Sequence, residues 1–388
     1  MRFSDVTTLG VGGEMGTYHL LRSRKKALSE IRSVWESGED WMVLGGGSNL
    51  VVSDEGFPGH VLHVAWKGRK RTSKRDGSVL LTVQAGEDWD ELVAHTVSEG
   101  LQGLESLSGI PGTVGASVIQ NIGAYGYEIS QTLDHVEFLD AKTGDITSLS
   151  PDELALGHRT SALKTGQLSG VVLSVTFRLT PSNDSLPIAY AQLADALGVA
   201  IGDTVNLSRL RKTVLSLRRS KGMVVDPDDP DSRSVGSFFV NPVVTERFAH
   251  SLPAEAPKWL LDNAADTAVP LDSEPPDATH SDEDATPVEA MVKLSAAWLI
   301  EHSGISKGFQ LPGSAAAVSG KHTLAITNPG GATAEEVAAL AREAELAPIQ
   351  YLRTNKNFFS DSQQLSSARG ITTIFDAFYY PLLLYAAA

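Results

Sequence analysis

Short apolar runs and helical stripes alternate along the first part of the chain. A glycine-rich opening, Thr7 to Gly13, reads as a loop, and Tyr18 to Leu21 as a strand. Residues 24–37 read as a helix with Leu28, Ile31 and Trp35 on one face and Lys25 and Lys26 on the other. Trp41, Met42, Val43 and Leu44 form an apolar run that suits a buried strand. Leu50 to Gly59 reads as a short strand followed by a turn, and Val79 to Ala85 as a strand. Residues 88–99 predict a helix with Trp89, Leu92, Val93 and Val97 inward and a stop at Gly100. Val136 to Leu139 and Val171 to Leu179 follow as strands, and the polar joint Thr180 to Pro187 marks a domain boundary. Beyond it, residues 208–219 form a helix with Leu210, Val214 and Leu217 on one face. Ser295 to Gly304 is a helix with a glycine stop, and Lys321 to Asn328 a strand. Thr333 and Glu336 form a capping box for a helix starting at Ala334, whose periodicity fails near residue 344.

Composition narrows the class. The chain has 388 residues, 42% of them hydrophobic, enough for two or three domains with a substantial core. It has no cysteine, which rules out disulfides, thiolate metal sites and cysteine nucleophiles and suits a reducing compartment. The opening MRFSDVTT lacks the apolar core of a signal peptide, and no run of about 18 apolar residues predicts a membrane span, so a cytoplasmic protein is expected. The ten histidines show no H-x-x-x-H grouping, so no metal is expected. A net charge of −15 argues against a nucleic-acid partner, and the basic segment Lys67 to Arg75 reads most simply as a solvated hairpin tip. Residues 253–287, rich in proline, alanine and acid, read as a flexible surface insertion with no core of its own. Nothing suggests a coiled coil, and a monomer is expected.

Two glycine-rich stretches carry the candidate chemistry. After the strand at 41–44, Gly45, Gly46 and Gly47 let the backbone turn sharply and expose its N–H groups, and Ser48 and Asn49 add hydroxyl and amide donors. Such a row suits a diphosphate, or is an ordinary glycine turn; its spacing is not G-x-G-x-x-G. Gly103 to Ser130 is rich in glycine, alanine and serine, which permits close approach to a flat ligand or a tight core crossing. Arg218 and Arg219 read equally as a solvated helix end, Phe238 and Phe239 as core, and His322 as a half-exposed strand residue.

Four motifs in order, GGGSN, GIPGTVGASVIQNIGAYG, RRSKGM with GSFFVNP, and KHTLAITN, resemble the UDP-N-acetylenolpyruvoylglucosamine reductases over about residues 5–343. The resemblance implies an α+β protein. A two-part FAD-binding domain of the vanillyl-alcohol-oxidase type spans 1–182, divided near residue 62. A C-terminal α+β substrate-binding domain spans 183–343 and carries the acidic insertion. It implies FAD contacts from Leu44, Gly45, Gly46, Gly47, Ser48, Asn49 and Leu50. Further contacts come from Gly112, Thr113, Gly115, Ala116, Ser117 and Gln120, then Asn121, Ile122, Gly123, Ala124, Tyr125 and Gly126. Arg159 would stabilise a developing enolate and Ser237 would protonate it; Tyr190, Lys221, Asn241 and His322 would contact substrate. The implied reaction has two halves. NADPH gives hydride to FAD and leaves, and UDP-N-acetylglucosamine enolpyruvate then receives hydride at its vinyl carbon, in peptidoglycan precursor synthesis.

The chain departs from the family at three places. His158 stands where a tyrosine precedes Arg159, and Val240 where some relatives have lysine. The family's closing FGV-x-L-x-PE segment, with its third catalytic residue, a glutamate, has no counterpart: no glutamate follows Glu345. Residues 344–388 read as an unrelated tail left by a frameshift near codon 344, with Tyr379 to Tyr385 an apolar liability; neither Asp361 nor Asp376 is assigned the missing role. Two readings stay open: a working reductase, and an FAD- and UDP-sugar-binding homologue with impaired catalysis. A sugar oxidase of the same flavin fold should lack both GSFFVNP and KHTLAITN.

Overall fold

A computed structural model describes residues 1–250, 252–260, 290–354 and 382–384. The chain opens on a parallel three-stranded sheet. β1 (Met15–Leu21) leads into α1 (Arg24–Ser37), which buries Ala27, Ile31 and Val34 and ends at Gly38, where φ is 71°. β2 (Trp41–Leu44), β3 (Leu50–Val52) and β4 (Phe57–Val64) follow. The expected turn before Gly59 is therefore partly a strand, and β4 is the centre of the sheet.

The second sheet is antiparallel. β5 (Arg69–Ser73) and β6 (Val79–Gln84) form a hairpin, so the basic segment is mostly an exposed edge strand rather than a tip. Its charges keep the edge from pairing with another chain. α2 (Trp89–Ser98) is capped by the Asp88 carboxylate, which accepts from the Glu91 N–H at 2.8 Å. β7 (Leu101–Gln102), α3 (Val114–Ser117), β8 (Gly123–Ala124) and β9 (Tyr127–Glu128) carry the second glycine-rich stretch. β10 (Leu133–Asp140), β11 (Ile146–Leu149) and β12 (Gly170–Pro181) complete the order β11-β10-β12-β6-β5, with β7 on β12. Every residue from Val171 to Phe177 is buried, as expected of a central strand covered on both faces. Trp66, Trp89, Phe138 and Phe177 anchor this core.

α4 (Ala191–Leu197) and α5 (Leu207–Arg219) share a small core of Ile188, Leu193, Leu210 and Val214. The chain forms two compact units: one of Met1–Val235, Thr327–Glu335 and 382–384, and one of the described residues in 236–326 and 336–354. Residues 183–235 thus cluster with the N-terminal unit, whereas the sequence reading places its boundary before them. The 327–335 segment is anchored by buried Asn328, whose side-chain amide donates to Leu9 O at 3.0 Å. β18 (Leu382–Leu384), the described part of the apolar run 379–385, pairs in parallel with β3.

In the second unit, β13 (Val243–Thr245), α6 (Glu246–His250), β14 (Lys258–Leu260) and β15 (Met291–Leu294) build an antiparallel sheet of order β13-β15-β14. Leu252 and Ala256 are buried, so the start of the acidic insertion belongs to the fold; its remainder lies outside the described residues. α7 (Ala296–His302) is capped by Ser295 Oγ. β16 (Ala317–Val318) pairs with β17 (Ile326–Thr327), so the expected strand at 321–328 shrinks to two residues after a turn. α8 (Ala334–Thr354) continues beyond residue 344, contrary to the expected break: Val337, Ala341, Ala344, Ile349 and Leu352 keep one buried face despite Pro348. Its first two residues, Ala334 and Glu335, belong to the first unit, where their N–H groups donate to the Asp54 carboxylate at 3.0 Å each.

Candidate active site

The first unit presses the two glycine-rich loops together. A Cβ on Gly46 would lie 2.7 Å from Gly112 Cα, and one on Gly45 would lie 2.7 Å from Thr113 Oγ1 and 3.1 Å from the Ala116 methyl. Gly47 has a φ of 62°, and its carbonyl accepts from the Thr8 N–H at 3.0 Å. Ser48 Oγ donates to Pro111 O at 3.1 Å, and Asn49 Nδ2 donates to Gln120 Oε1 at 3.1 Å. Leu44 and Leu50 are buried at the ends of β2 and β3 and hold the loop at both sides. Among the described residues, the N–H groups of Gly46, Gly47, Ser48 and Asn49 donate to no partner. A row of free N–H groups in a cradle with no room for side chains fits the diphosphate of FAD.

Past the cradle, Gly115 N donates to Ala85 O at 2.8 Å and Ser117 Oγ to Val114 O at 2.7 Å, fixing α3 against the sheet. Ile122 is buried and exchanges a backbone bond with Ile129. Ala124 lies in the β8–β9 hairpin, and Gly126, φ 87°, turns where a Cβ would meet Ala189. Four non-glycine residues among those described have positive φ: Asn121, Tyr125, Ala155 and Arg159. Three of them are residues singled out from the sequence, and strain of this kind gathers at functional sites.

Arg159 sits in a tight turn in which Gly157 and Thr160 pair. Its Nη2 donates to Gly123 O at 3.0 Å, which brings the guanidinium to the second glycine-rich stretch. Arg218, missed as a distinct feature in the sequence, adds a second cation. Burial pushes its guanidinium down to about 10, with Tyr125 opposing and Arg159 adding to the shift. Its Nε is buried without a hydrogen-bond partner among the described residues, while Nη2 donates to Met223 O. Burial, then Arg218, lowers the Lys221 ammonium, which donates to Gln192 Oε1 at 2.8 Å. Burial also raises the Tyr125 phenol. Tyr190, 47% exposed, meets the Tyr125 ring edge-on at 5.8 Å. Arg159, Arg218, Lys221 and two tyrosines are suited to an anion with an apolar face.

The second unit carries a separate set. Ser237 Oγ and His322 Nε2 lie 3.1 Å apart, so one donates to the other. Phe238 and Phe239 are buried, as core, and Phe238 N–H donates to Leu324 O at 2.6 Å, fixing the segment that bears Ser237. His322 belongs to a turn whose N–H donates to Ser319 Oγ, not to a strand. Asn241 is not part of this pair: its Oδ1 accepts from the Ala296 N–H at 3.0 Å and caps α7. No group of three or more His, Asp or Glu able to hold a metal, and no helix long and apolar enough to cross a membrane, occurs among the described residues.

Known proteins bear on both units. A family model described as an FAD binding domain matches residues 18–150, and one described as the C-terminal domain of UDP-N-acetylenolpyruvoylglucosamine reductase matches 228–347. The reductase of that name from Leifsonia xyli is 51% identical over 87% of this chain and 91% of its own length. That of Thermobifida fusca is 46% identical over 88% and 90%. The solved structure of the Thermus caldophilus reductase covers 89% of this chain and 93% of its own, at 25% identity and a TM-score of 0.56.

Proposed function

The chain belongs to the UDP-N-acetylenolpyruvoylglucosamine reductase family, and we propose that it reduces UDP-N-acetylglucosamine enolpyruvate to UDP-N-acetylmuramate with NADPH as donor. The observation that carries this reading is the cradle of Gly46 against Gly112 with its unpartnered N–H groups. The product is a peptidoglycan precursor, and a chain without cysteine suits work in the cytoplasm.

Bound FAD would supply the redox chemistry, accepting hydride from NADPH and passing it to the terminal vinyl carbon. The loop Leu44 to Leu50 and the segment Gly112 to Gly126 would hold it. Lys221 and Tyr190 would take the substrate's diphosphate and nucleotide, and Asn241 and His322 further polar groups. Arg159, permanently charged, would stabilise the negative charge that spreads from the carbon beside the carboxylate. Ser237 would donate its proton to that carbon. A hydroxyl is a weak acid, so the step depends on a strongly basic enolate and a fixed approach. His322, 3.1 Å from Ser237 Oγ, can return a proton to it.

The lack of a counterpart to the family's closing FGV-x-L-x-PE segment in residues 346–388 motivates a second reading, an FAD- and UDP-sugar-binding homologue with impaired turnover. Steady-state NADPH oxidation that depends on the enolpyruvyl sugar, with a product two hydrogens heavier by mass spectrometry, supports the first reading. Bound flavin without that dependence supports the second.

A further inference from the structure

Arg159 holds a φ of 57°, a left-handed conformation that is costly for an ordinary side chain. Its own turn supplies two backbone bonds between Gly157 and Thr160, at 3.2 and 3.3 Å, both long. Something outside the turn must hold it. Lys164 Nζ donates to Arg159 O at 3.0 Å on one side, and on the other Asn121 Nδ2 donates to Gly157 O at 3.0 Å. Asn121 is 1% exposed and itself has a positive φ, so its amide in turn must be fixed.

We propose that Glu128 is the positioning residue for Arg159, an inference that rests on the reading of Arg159 given above. Three contacts converge on its side chain. Oε2 accepts from Asn121 Nδ2 at 2.6 Å. Oε1 lies 3.2 Å from His158 Nδ1, on the residue before Arg159. The stem covers Gly123 so closely that a Cβ there would lie 2.6 Å from Glu128 Cγ, and Gly123 O is the acceptor of Arg159 Nη2. Glu128 thus braces the backbone of the arginine turn through Asn121 and the guanidinium through Gly123.

The contacts differ in weight. The Asn121 bond is short, charge-assisted and shielded, whereas the His158 side chain is 66% exposed and its ion pair is screened. The brace therefore acts mainly through Asn121. Glu128 itself is held by its backbone, whose N–H donates to Gln131 Oε1 at 3.1 Å, and by Gly123–Glu128 pairing in the hairpin.

The test uses the holoenzyme and reads the two half-reactions apart. In Glu128→Ala, reoxidation of the reduced enzyme by the enolpyruvyl sugar slows by at least about tenfold, while bleaching by NADPH stays within about twofold. Glu128→Asp, which keeps the charge and folds under milder perturbation, slows reoxidation by at least about threefold, and His158→Ala by less than that. In the Arg159→Ala background, Glu128→Ala adds less than about twofold, because both act through one group. Calorimetric affinity of the oxidised holoenzyme for the sugar falls in Glu128→Ala as it does in Arg159→Ala. A Glu128→Asp variant with wild-type reoxidation, or a full additive loss on top of Arg159→Ala, overturns the inference while leaving the function intact. A wild-type protein that bleaches but is never reoxidised by the sugar removes the functional reading and this inference with it.

Discussion

The Asn121 side-chain amide donates to the Gly157 carbonyl at 3.0 Å, joining the second glycine-rich stretch to the turn that carries Arg159. Asn121 also accepts from the Ser130 N–H at 3.1 Å, so a single buried amide satisfies groups on two other segments. Asn121→Ala leaves the Ser130 N–H without its acceptor, leaves Gly157 O with the long Thr160 N–H bond, and places alanine at a φ of 47°. The expected loss is about 2–4 kcal/mol, measured by urea unfolding of the holoprotein.

Gly46→Ala puts a methyl 2.7 Å from Gly112 Cα, a backbone atom that cannot swing aside. The two loops must separate, and flavin binding suffers before the distant sheets do. The ratio of flavin to protein absorbance in the purified variant should fall by at least about tenfold, a shift of ~1.4 kcal/mol or more in binding. Retention of full flavin would show that the loops do not form the cradle.

Asp90 on α2 holds Arg211 on α5 by two bonds, at 2.6 and 2.8 Å, and accepts the Gly109 N–H at 2.6 Å. Burial pushes its carboxyl up, but the Arg211 and Gly109 bonds outweigh it and hold it below the usual range. A folded value below the unfolded one, about 3.9, means the contribution is complete above that pH and is lost as pH falls through the folded value. Asp90→Asn should cost about 1–3 kcal/mol at neutral pH, and the gap from wild type should shrink below about pH 4 in denaturant melts.

Much of the fold is legible because local rules and tertiary context agree. α1 and β2 begin and end at the expected residues, since Gly38 supplies a left-handed stop, but the buried face of α1 is Ala27, Ile31 and Val34, with Leu28 and Trp35 of the expected stripe only half-buried beside it. β4 was hidden by Pro58, Gly59, His60 and His63, which break its alternation, although it is the central strand. β5 has no apolar residue at all, and only pairing with β6 makes it a strand. The continuation of α8 past Ala344 shows that a buried face can carry a helix through a proline. At the site, glycine and arginine positions were visible as motifs, whereas Glu128, Arg218 and the Asp54 cap, 280 residues from its helix, matter only through contacts distant in sequence.

Ser237→Ala removes the proposed proton donor and spares the cradle. Bleaching by NADPH should be unchanged, and reoxidation should slow by about 10²–10⁴-fold, the usual worth of a positioned acid. His322→Ala should slow the same half-reaction less, since His322 would act only through Ser237, 3.1 Å away. A serine variant with wild-type reoxidation would assign the proton to another group.

The most direct test of the account is an anaerobic stopped-flow experiment on the purified flavoprotein, with NADPH added first and the enolpyruvyl sugar second. Fast flavin bleaching by NADPH is expected, then reoxidation by the sugar with release of UDP-N-acetylmuramate. Bound flavin that NADPH bleaches and the sugar never reoxidises would contradict it, and would mean that the chain keeps the family's binding residues without its chemistry.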